Sequence, residues 1–365
     1  MGKVRRAVGV LMLGCGLGAE AEVAEISPSV HFNGAVGCST AEHAQDLAVG
    51  HHDPTRTDGS VQGLELGASL RAGTYLQGFS TYTLHYGASE EWDGEWEEAF
   101  LKLVSLPGGV EIRGGRVLAR FGALNATHLH GWDTVDMPLV SGLLLGEDGL
   151  ILDGGDVTWL RKDRQLTFGA VAGYGRVLAH DHGGHEDEDA ADHDDHADEH
   201  ADHAHLGWDG DAGYGRIFAI CRPNDFNQWT VGSSGAFGDN EADNSRSVLG
   251  VDLTYQWRAH GLEAGGPALR WTTEVMSALD AAAGLYSQAI WTWNNYWDTG
   301  LRLGAMDGEG EREPRFRASP VATWRPLGNP LVAMRLQYNY DDLGAEAEHT
   351  VWAQLGLSWG GGEVR

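Results

Sequence analysis

The sequence has few cysteines, few basic residues and no long apolar stretch in its body. Its 365 residues include 3 cysteines, and 25 lysines and arginines stand against 53 aspartates and glutamates, for a formal net charge of −28. Such acidity excludes nucleic acid as a partner, because phosphate binding needs a basic surface. No apolar run of roughly 18 residues follows the N-terminal segment, so we expect no transmembrane helix.

Motifs of the common enzyme classes are missing as well. The chain has no Gly-x-Ser-x-Gly nucleophile turn, no His-Glu-x-x-His zinc helix and no phosphate-binding glycine loop. We therefore predict that the protein is not an enzyme, and we expect neither a catalytic site nor a required cofactor. Any bound metal would be an ion such as Zn²⁺, Cu²⁺ or Ni²⁺.

The N-terminus has the pattern of a secretory signal peptide that spans residues 1–21. A basic stub precedes a short apolar core, and Ala19-Glu20-Ala21 offers a small-x-small cleavage site. A lipoprotein-type cleavage box that would place a lipid on Cys15 is the alternative. After cleavage Cys38 and Cys221 remain, and the architecture predicted below puts them at opposite ends, where no disulfide can join them.

Glycine and tryptophan are abundant, with 53 and 14 residues, and they are spread over short stretches in which apolar and polar residues alternate. Residues 249–257 and 351–359 are the clearest examples. A period of two predicts β-strands. A barrel in lipid needs an apolar outer face and a polar lumen, and this pattern supplies both. A soluble β-sandwich shows the same alternation, so the period alone does not decide.

The lengths of the connections favour an all-β, transmembrane, antiparallel up-and-down β-barrel of about 16 strands over residues 22–365. Links after even-numbered strands are mostly tight, whereas links after odd-numbered strands are long or acidic. Outer-membrane barrels have short periplasmic turns and long extracellular loops in this way. The predicted strands are 27–38, 61–70, 74–87, 96–106, 109–121, 155–163, 165–176, 213–222, 227–237, 247–258, 268–278, 285–294, 297–305, 315–325, 331–340 and 349–359.

One predicted extracellular loop, residues 177–212, is rich in histidine and acid. Residues 180–211 hold eight histidines, thirteen carboxylates and no lysine or arginine. Imidazole and carboxylate bind Zn²⁺, Cu²⁺ and Ni²⁺, so we predict a metal-collecting loop, with a solvated acidic spacer as the alternative. The candidate ligands in this loop are His180, His182, His185, His193, His196, His200, His203 and His205.

A second loop, residues 122–154, is too long and too apolar for a solvated outer loop. In barrels of this size such a loop often folds inward and narrows the pore, and we predict the same here. His128 and His130 alternate along the chain, and with Asp133 and Asp136 nearby they form a candidate cation site. Histidines that only pack the loop through hydrogen bonds are the alternative.

Charged residues of both signs fall on the predicted inner face of the strands. Their mixed signs indicate a water-filled lumen of modest selectivity, without the ladder of arginines that would commit the pore to phosphate. The predicted pore-lining residues are Arg116, Arg120, Asp252, Arg270, Glu274, Arg302 and Arg335.

Three segments carry a resemblance to a known family. They are residues 26–30, the run from Gly114-Gly115-Arg116 through 121–140, and residues 348–352. With the His/Asp-rich insertion they resemble bacterial outer-membrane proteins labelled zinc-regulated TonB-dependent outer-membrane receptors, and more distantly phosphate-selective porins. The resemblance implies a porin-like barrel linked to zinc supply. A TonB-dependent receptor has a globular plug before the barrel, whereas the strands here are predicted from about residue 27, so we expect a plug-less barrel.

Together these features predict a porin-like channel in the bacterial outer membrane for passive uptake of small solutes, linked to zinc or another divalent metal. A general or anion-selective porin with a metal-buffering surface loop is one alternative. A non-transporting structural or adhesive barrel is the other. The expected partners are outer-membrane lipid, divalent metal ions, the barrel-assembly machinery and two further copies of the chain in a homotrimer.

Overall fold

The computed structural model describes residues 24–87, 91–177, 208–240, 244–264, 266–279, 282–308, 314–344 and 347–361. The predicted signal peptide, the lipidation site and the histidines from His180 to His205 lie outside these residues. The strands are β1 (Glu25–Ser39), β2 (Gly59–Ala72), β3 (Leu76–Tyr86), β4 (Trp92–Leu106), β5 (Val110–Leu118), β6 (Ile151–Lys162), β7 (Leu166–Val177), β8 (Trp208–Asn224), β9 (Asn227–Asn240), β10 (Ser245–Arg258), β11 (Ala268–Ala278), β12 (Ala283–Thr292), β13 (Trp297–Met306), β14 (Arg315–Trp324), β15 (Val332–Asp342) and β16 (Ala347–Gly360).

The strands form one closed antiparallel barrel in which each strand pairs with its neighbours in sequence. Strand β16 pairs with β1, so that Val30 lies opposite Trp359 and Ser39 opposite Thr350. Closure satisfies the backbone hydrogen bonds of the first and last strands, which the interior of a bilayer requires because it offers no water. The predicted all-β barrel and its number of strands are confirmed.

The alternation along each strand separates the outside of the barrel from its interior. On β10, Leu249 and Val251 are exposed on the outer face, whereas the side chain of Asp252 points inward and is buried. At one rim, Trp293, Tyr296 and Trp297 are exposed, as expected for aromatic rings at a membrane interface. A closed barrel with an apolar exterior and a polar interior is the architecture of bacterial outer-membrane proteins.

The strands flanking the inward loop differ from the prediction. Strand β5 ends at Leu118 and β6 begins at Ile151, whereas the sequence pattern predicted an end at 121 and a start at 155. The side chain of Asn125 explains the difference. Its amide nitrogen donates to the carbonyl oxygens of Ala119 (2.8 Å) and Leu150 (3.1 Å). These bonds hold the two ends of the loop together at the points where β5 ends and β6 begins.

Cys38 lies near one end of the barrel in β1, and Cys221 lies at the other end in β8; both are free, as predicted. Within the described residues, regular helix is limited to three short 3₁₀ turns and α1 (Leu139–Leu145). None of these helices is long and apolar enough to cross a membrane.

Candidate functional site

The connection between β5 and β6, residues 119–150, folds into the barrel; we call it the constriction loop. Its helix α1 places Val140 and Leu144 in full burial. Both belong to one apolar cluster with Met276 of β11 and Met306 of β13. The helix is therefore fixed against that side of the barrel by apolar packing.

Helix α1 also contacts the outer loop between β1 and β2, residues 40–58, which we call the inlet loop. A methyl group at Gly142 would lie 2.1 Å from the carbonyl oxygen of Val49, far inside contact distance. Only glycine lets the two loops approach this closely.

Asp136 anchors the constriction loop to the barrel wall through charged hydrogen bonds. Arg302 Nη2 donates to Asp136 Oδ1 (2.5 Å), and Arg317 Nη1 donates to Oδ2 (2.9 Å). The side-chain amides of Gln337 and Asn339 donate to the same carboxylate. Burial raises the pKa of Asp136, but Arg302 and Arg317 outweigh burial and hold this pKa below its usual range.

Two more arginines hold the loop between Trp132 and Thr134. Arg335 donates to the carbonyl oxygens of Trp132 (2.8 Å) and Thr134 (3.2 Å), and Arg270 donates to the carboxylate of Asp133. Arg270 and Arg335, like Arg302, were predicted to line the pore. They do face inward, but they bind the constriction loop, because its carboxylates and carbonyl groups fill that side of the lumen.

The prediction that Arg116 lines the pore is wrong. Arg116 pairs with Asp153 on the outer face (2.8 Å), because the inward positions of β5 are odd-numbered and include Arg113 instead. Arg120 lies beyond the end of β5 and reaches the interior, where it donates to Thr158 Oγ1 (2.6 Å).

The two predicted acidic pore residues face inward but are covered. Asp252 is bound by Arg216 Nη1 at 2.6 Å. Glu274 accepts the backbone N–H of Ala123 in the constriction loop at 3.2 Å. Both carboxylates are almost completely buried, so they support the loop and do not line an open channel.

The opposite wall, formed by β1 to β4, carries a continuous row of histidines and carboxylates, which we call the histidine file. The strands, the inlet loop and the constriction loop all contribute to it. Its members are His31, Glu65, His85, Asp93, Glu95, Glu97 and Glu98 from the strands, His51 and His52 from the inlet loop, and His128, His130 and Asp148 from the constriction loop.

The outer half of the file begins near the extracellular ends of β3 and β4. The Nε2 atoms of His51 and His85 lie 2.9 Å apart and share a hydrogen bond. His52 Nε2 lies 3.6 Å from Glu95 and 3.2 Å from Glu97. The inlet loop thus connects the rim of the barrel to the middle of β4.

The inner half of the file joins the constriction loop to the wall. His128 Nδ1 lies 2.5 Å from Glu97 Oε2. His130 Nδ1 lies 2.5 Å from Glu65 Oε2, and its ring stacks on the ring of His31 with the centroids 3.7 Å apart. The loop histidines predicted as a cation site therefore meet ligand-type residues of the barrel wall.

The carboxylates of the file hold positively charged groups beside them. Arg113 neutralises its inner edge by donating to Glu98 (3.3 Å) and Asp156 (2.6 Å). Further out, the carboxylates face imidazoles. Burial lowers the pKa of His52, but a hydrogen bond to Glu97 and nearby carboxylates outweigh burial and raise this pKa to about 10.

The file can coordinate metal ions at several points. Imidazole and carboxylate ligands suit Zn²⁺ and similar ions. A cavity of about 40 Å³ beside His52, Glu97 and His128 has room for a water-sized guest. The sets whose ligand atoms lie within 4.8 Å of one another are His51, His85 and Asp93; His51, Glu95 and Asp148; Glu65, Glu97 and His128; and His31, Glu65 and His130.

The sequence identified only part of this site. It pointed to His128 and His130, whose rings lie 6.1 Å apart and parallel. It also grouped them with Asp133 and Asp136, which bind arginines on the other side of the lumen instead. His31, Glu65 and the other wall residues were missed, although their common position on the inner face of β1 to β4 was a usable signal.

Comparisons with known proteins bear on the fold. No protein-family model matches the chain. An uncharacterized protein of Aquifex aeolicus is 42% identical over 64 residues, which are 18% of this chain and only 13% of that protein.

Solved structures match over nearly the whole chain. OprB of Pseudomonas putida aligns with a TM-score of 0.57 and 12% identity, covering 93% of this chain and 94% of that one. An anion-selective porin from Comamonas acidovorans gives 0.56 and 9%, covering 92% and 100%. A trimer form of OmpT, an outer-membrane protein of Vibrio cholerae, gives a TM-score of 0.55 and 7% identity, covering 93% of this chain and 100% of that one.

These likenesses show that the fold is that of bacterial outer-membrane barrels of the porin type. They support the general resemblance to outer-membrane porins that the sequence indicated. They do not support its more specific part, the zinc-regulated TonB-dependent receptor.

Proposed function

We propose that the protein is an outer-membrane channel through which divalent transition-metal cations, zinc in particular, diffuse passively. The observation that carries this proposal is the histidine file, which leads from His85 near the outer rim to His31 midway along β1. A conducting pore must bind its ion well enough to admit it and weakly enough to release it, which several adjoining sites allow. Two of the ligand sets share His51 and the other two share Glu65, so an ion can exchange ligands within each half of the file. His52 lies between the halves, close to both Glu95 and Glu97.

The predicted metal-collecting loop, residues 177–212, fits the same function. Its histidines and carboxylates would raise the local concentration of metal at the channel entrance. The net charge of −28 acts in the same direction, because a negative surface attracts cations from solution.

A general or anion-selective porin is the alternative function. An anion-selective pore would need exposed positive charges, and the arginines on the inner face of β13 and β14 are the candidates. Arg302 and Arg317, however, are buried and paired with carboxylates: both bind Asp136 of the constriction loop, and Arg317 also binds Asp341. The anion-selective reading also leaves the histidine file without a role, so we favour the cation channel.

Ion selectivity in planar bilayers tests the proposal. We expect the full-length protein to give a cation-selective reversal potential in a KCl gradient, and we expect added ZnCl₂ to reduce the potassium current by occupying the file. A reversal potential that favours chloride would refute the proposal.

Two glutamate variants localise the zinc effect. Glu97→Gln removes a buried carboxylate of the file while keeping its size, so the zinc concentration for half-block should rise by about 10-fold or more. Glu263→Gln, at an exposed position between β10 and β11, is the matched control and should leave the block unchanged. Equal block in both variants would show that zinc acts elsewhere.

The other expected partners remain predictions, and each is consistent with this function. The apolar outer face suits outer-membrane lipid, and folding of such a barrel would use the barrel-assembly machinery. A homotrimer stays a prediction, supported by the trimer form of the structurally similar OmpT of Vibrio cholerae.

A further inference from the structure

The deepest part of the histidine file holds a buried carboxylate oxygen that no other described residue binds. Glu65 is 1% exposed. Its Oε2 atom lies 2.5 Å from His130 Nδ1, whereas Oε1 is buried and has no hydrogen-bond partner among the described residues. Leaving a carboxylate oxygen unpaired in a buried place is costly, so such an atom marks a place for a cation or another donor.

Two imidazoles converge on this carboxylate from different parts of the chain. His31 of β1 lies directly opposite Glu65 of β2 in the strand register. His130 of the constriction loop stacks on His31, with an angle of 8° between the ring planes. One ligand atom from each of these three residues lies within 4.8 Å of the other two.

We propose that His31 and Glu65 of the barrel wall and His130 of the constriction loop bind one divalent transition-metal ion that ties the loop to β1 and β2. This inference rests on the proposed function for the class of ion and names the place where the ion is held. Two imidazole nitrogens and one carboxylate oxygen suit zinc and leave a fourth position open to water. Calcium and magnesium prefer sites made of oxygen ligands alone.

To accept zinc, the ligand atoms must separate and one of the stacked rings of His31 and His130 must turn, because an imidazole binds metal in the plane of its ring. Ligand bonds of about 2.0–2.1 Å in a tetrahedral site separate the ligand atoms by about 3.3 Å. The contact of 2.5 Å between His130 Nδ1 and Glu65 Oε2 must therefore open by less than about 1 Å. The side chain of His130 is 20% exposed and belongs to a loop, so it has room to move.

The ion would also fix the constriction loop on its second side. On the first side, Asp136 binds Arg302 and Arg317 of the wall. With zinc between His130, His31 and Glu65, the loop would be fixed at both sides of the lumen. Zinc should therefore stabilise the folded barrel as well as bind to it.

Anomalous diffraction at the zinc edge tests the site directly. Crystals of the full-length protein grown with ZnCl₂ should show an anomalous peak between His31, Glu65 and His130. Absence of a peak at this position, in crystals that show zinc elsewhere or nowhere, would overturn the proposal.

Binding in solution gives a second readout. Zinc competition with a chromophoric chelator should show that Glu65→Gln lacks one of the zinc ions bound by the wild type, or binds it at least about 10-fold more weakly. His260→Ala, an exposed histidine in the turn between β10 and β11, is the control and should bind as the wild type does. The heat-modifiable mobility of the folded barrel checks that each variant folds. Wild-type binding by a folded Glu65→Gln protein would overturn the proposal.

The binding measurements and the bilayer measurements separate the two proposals. Zinc at this site in a barrel that conducts anions would refute the channel function and leave the site in place. A cation-selective barrel blocked by zinc, with no ion between these three residues, would refute the site and leave the channel function in place.

Discussion

Asp136 is the residue that decides where the constriction loop lies. Its carboxylate is fully buried and binds Arg302 and Arg317, and Arg317 also binds Asp341 of β15. A buried ion pair adds little net stability compared with apolar packing. Removing one partner, however, strongly destabilises the protein, because the other charge is left buried and unpaired. Asp136 therefore specifies the position of the loop, because there its carboxylate pairs with both arginines at once.

Removal of this charge should loosen the loop. Asp136→Asn leaves Arg302 and Arg317 buried without their shared counter-charge, so we expect the free energy of unfolding to fall by about 3–5 kcal/mol at pH 7. Because the pKa of Asp136 is lowered in the folded state, its contribution is complete above the ordinary aspartate value near 3.9 and is lost as the pH falls through the folded value. Urea unfolding in lipid vesicles measures both effects.

Asp133→Asn provides the matched control for this experiment. Asp133 pairs with Arg270, whose side chain is 45% exposed, and exposed pairs contribute at most about 1 kcal/mol. Equal losses in the two variants, or a loss in Asp136→Asn that persists unchanged at pH 2, would contradict the role given to Asp136.

At the scale of elements, the lumen is divided between a side that anchors loops and a side that carries histidines. The constriction loop lies against β11 to β15 through helix α1 and the arginines, so its histidines face β1 to β4. The inlet loop then packs on helix α1 and brings His51 and His52 to the same side. The contact between the two loops, at Gly142 and Val49, thus positions the outer half of the file.

A single methyl group should separate the two loops. In Gly142→Ala the new carbon would meet the carbonyl oxygen of Val49 at 2.1 Å, so the inlet loop must move away. We expect a loss of about 1–3 kcal/mol in stability, as for other overpacked sites, and a larger single-channel conductance.

Gly213→Ala in β8 is the control for that substitution. There the nearest heavy atoms to an added carbon lie at 3.7 Å, which is ordinary contact. The free energy of unfolding should therefore stay within about 0.5 kcal/mol of the wild-type value, and the single-channel conductance should not change. Wild-type conductance in a folded Gly142→Ala barrel would show that the inlet loop does not limit the pore.

For the whole molecule, closure of the barrel leaves the lumen and the extracellular loops as the places where selectivity can arise. The apolar side chains of the outer face contact lipid, so this face cannot select solutes. The histidine file lies inside the barrel, whereas the metal-collecting loop is a prediction for the extracellular side. The two proposed metal functions are separable, because they belong to different parts of the chain.

Deletion of residues 180–205 should separate them experimentally. We expect the shortened barrel to keep its single-channel conductance and cation selectivity, because the file is untouched. Zinc-limited growth of cells that carry the deletion should become slower, because fewer ions are collected at the entrance. Growth and conductance both equal to the wild type would contradict the collecting role of the loop.

The sequence by itself determined the barrel. Its period of two and the alternation of short turns with long loops are local properties, and they set the strands, their order and their inner and outer faces. The clearest error concerns Arg116. The alternation predicted its side chain on the inner face, but near Gly115 the prediction is out of step by one residue and the side chain lies on the outer face. The sequence also singled out His128 and His130, because two alternating histidines in an apolar loop stand out locally.

Only the tertiary structure decided which residues make up the candidate site. His31, Glu65 and His130 are separated along the chain by 34 and 65 positions, and they meet because β1 pairs with β2 and the constriction loop folds back onto both. The inward arginines that were predicted to line the pore instead donate hydrogen bonds to that same loop. Such contacts depend on where a loop packs in three dimensions, which neither periodicity nor composition records.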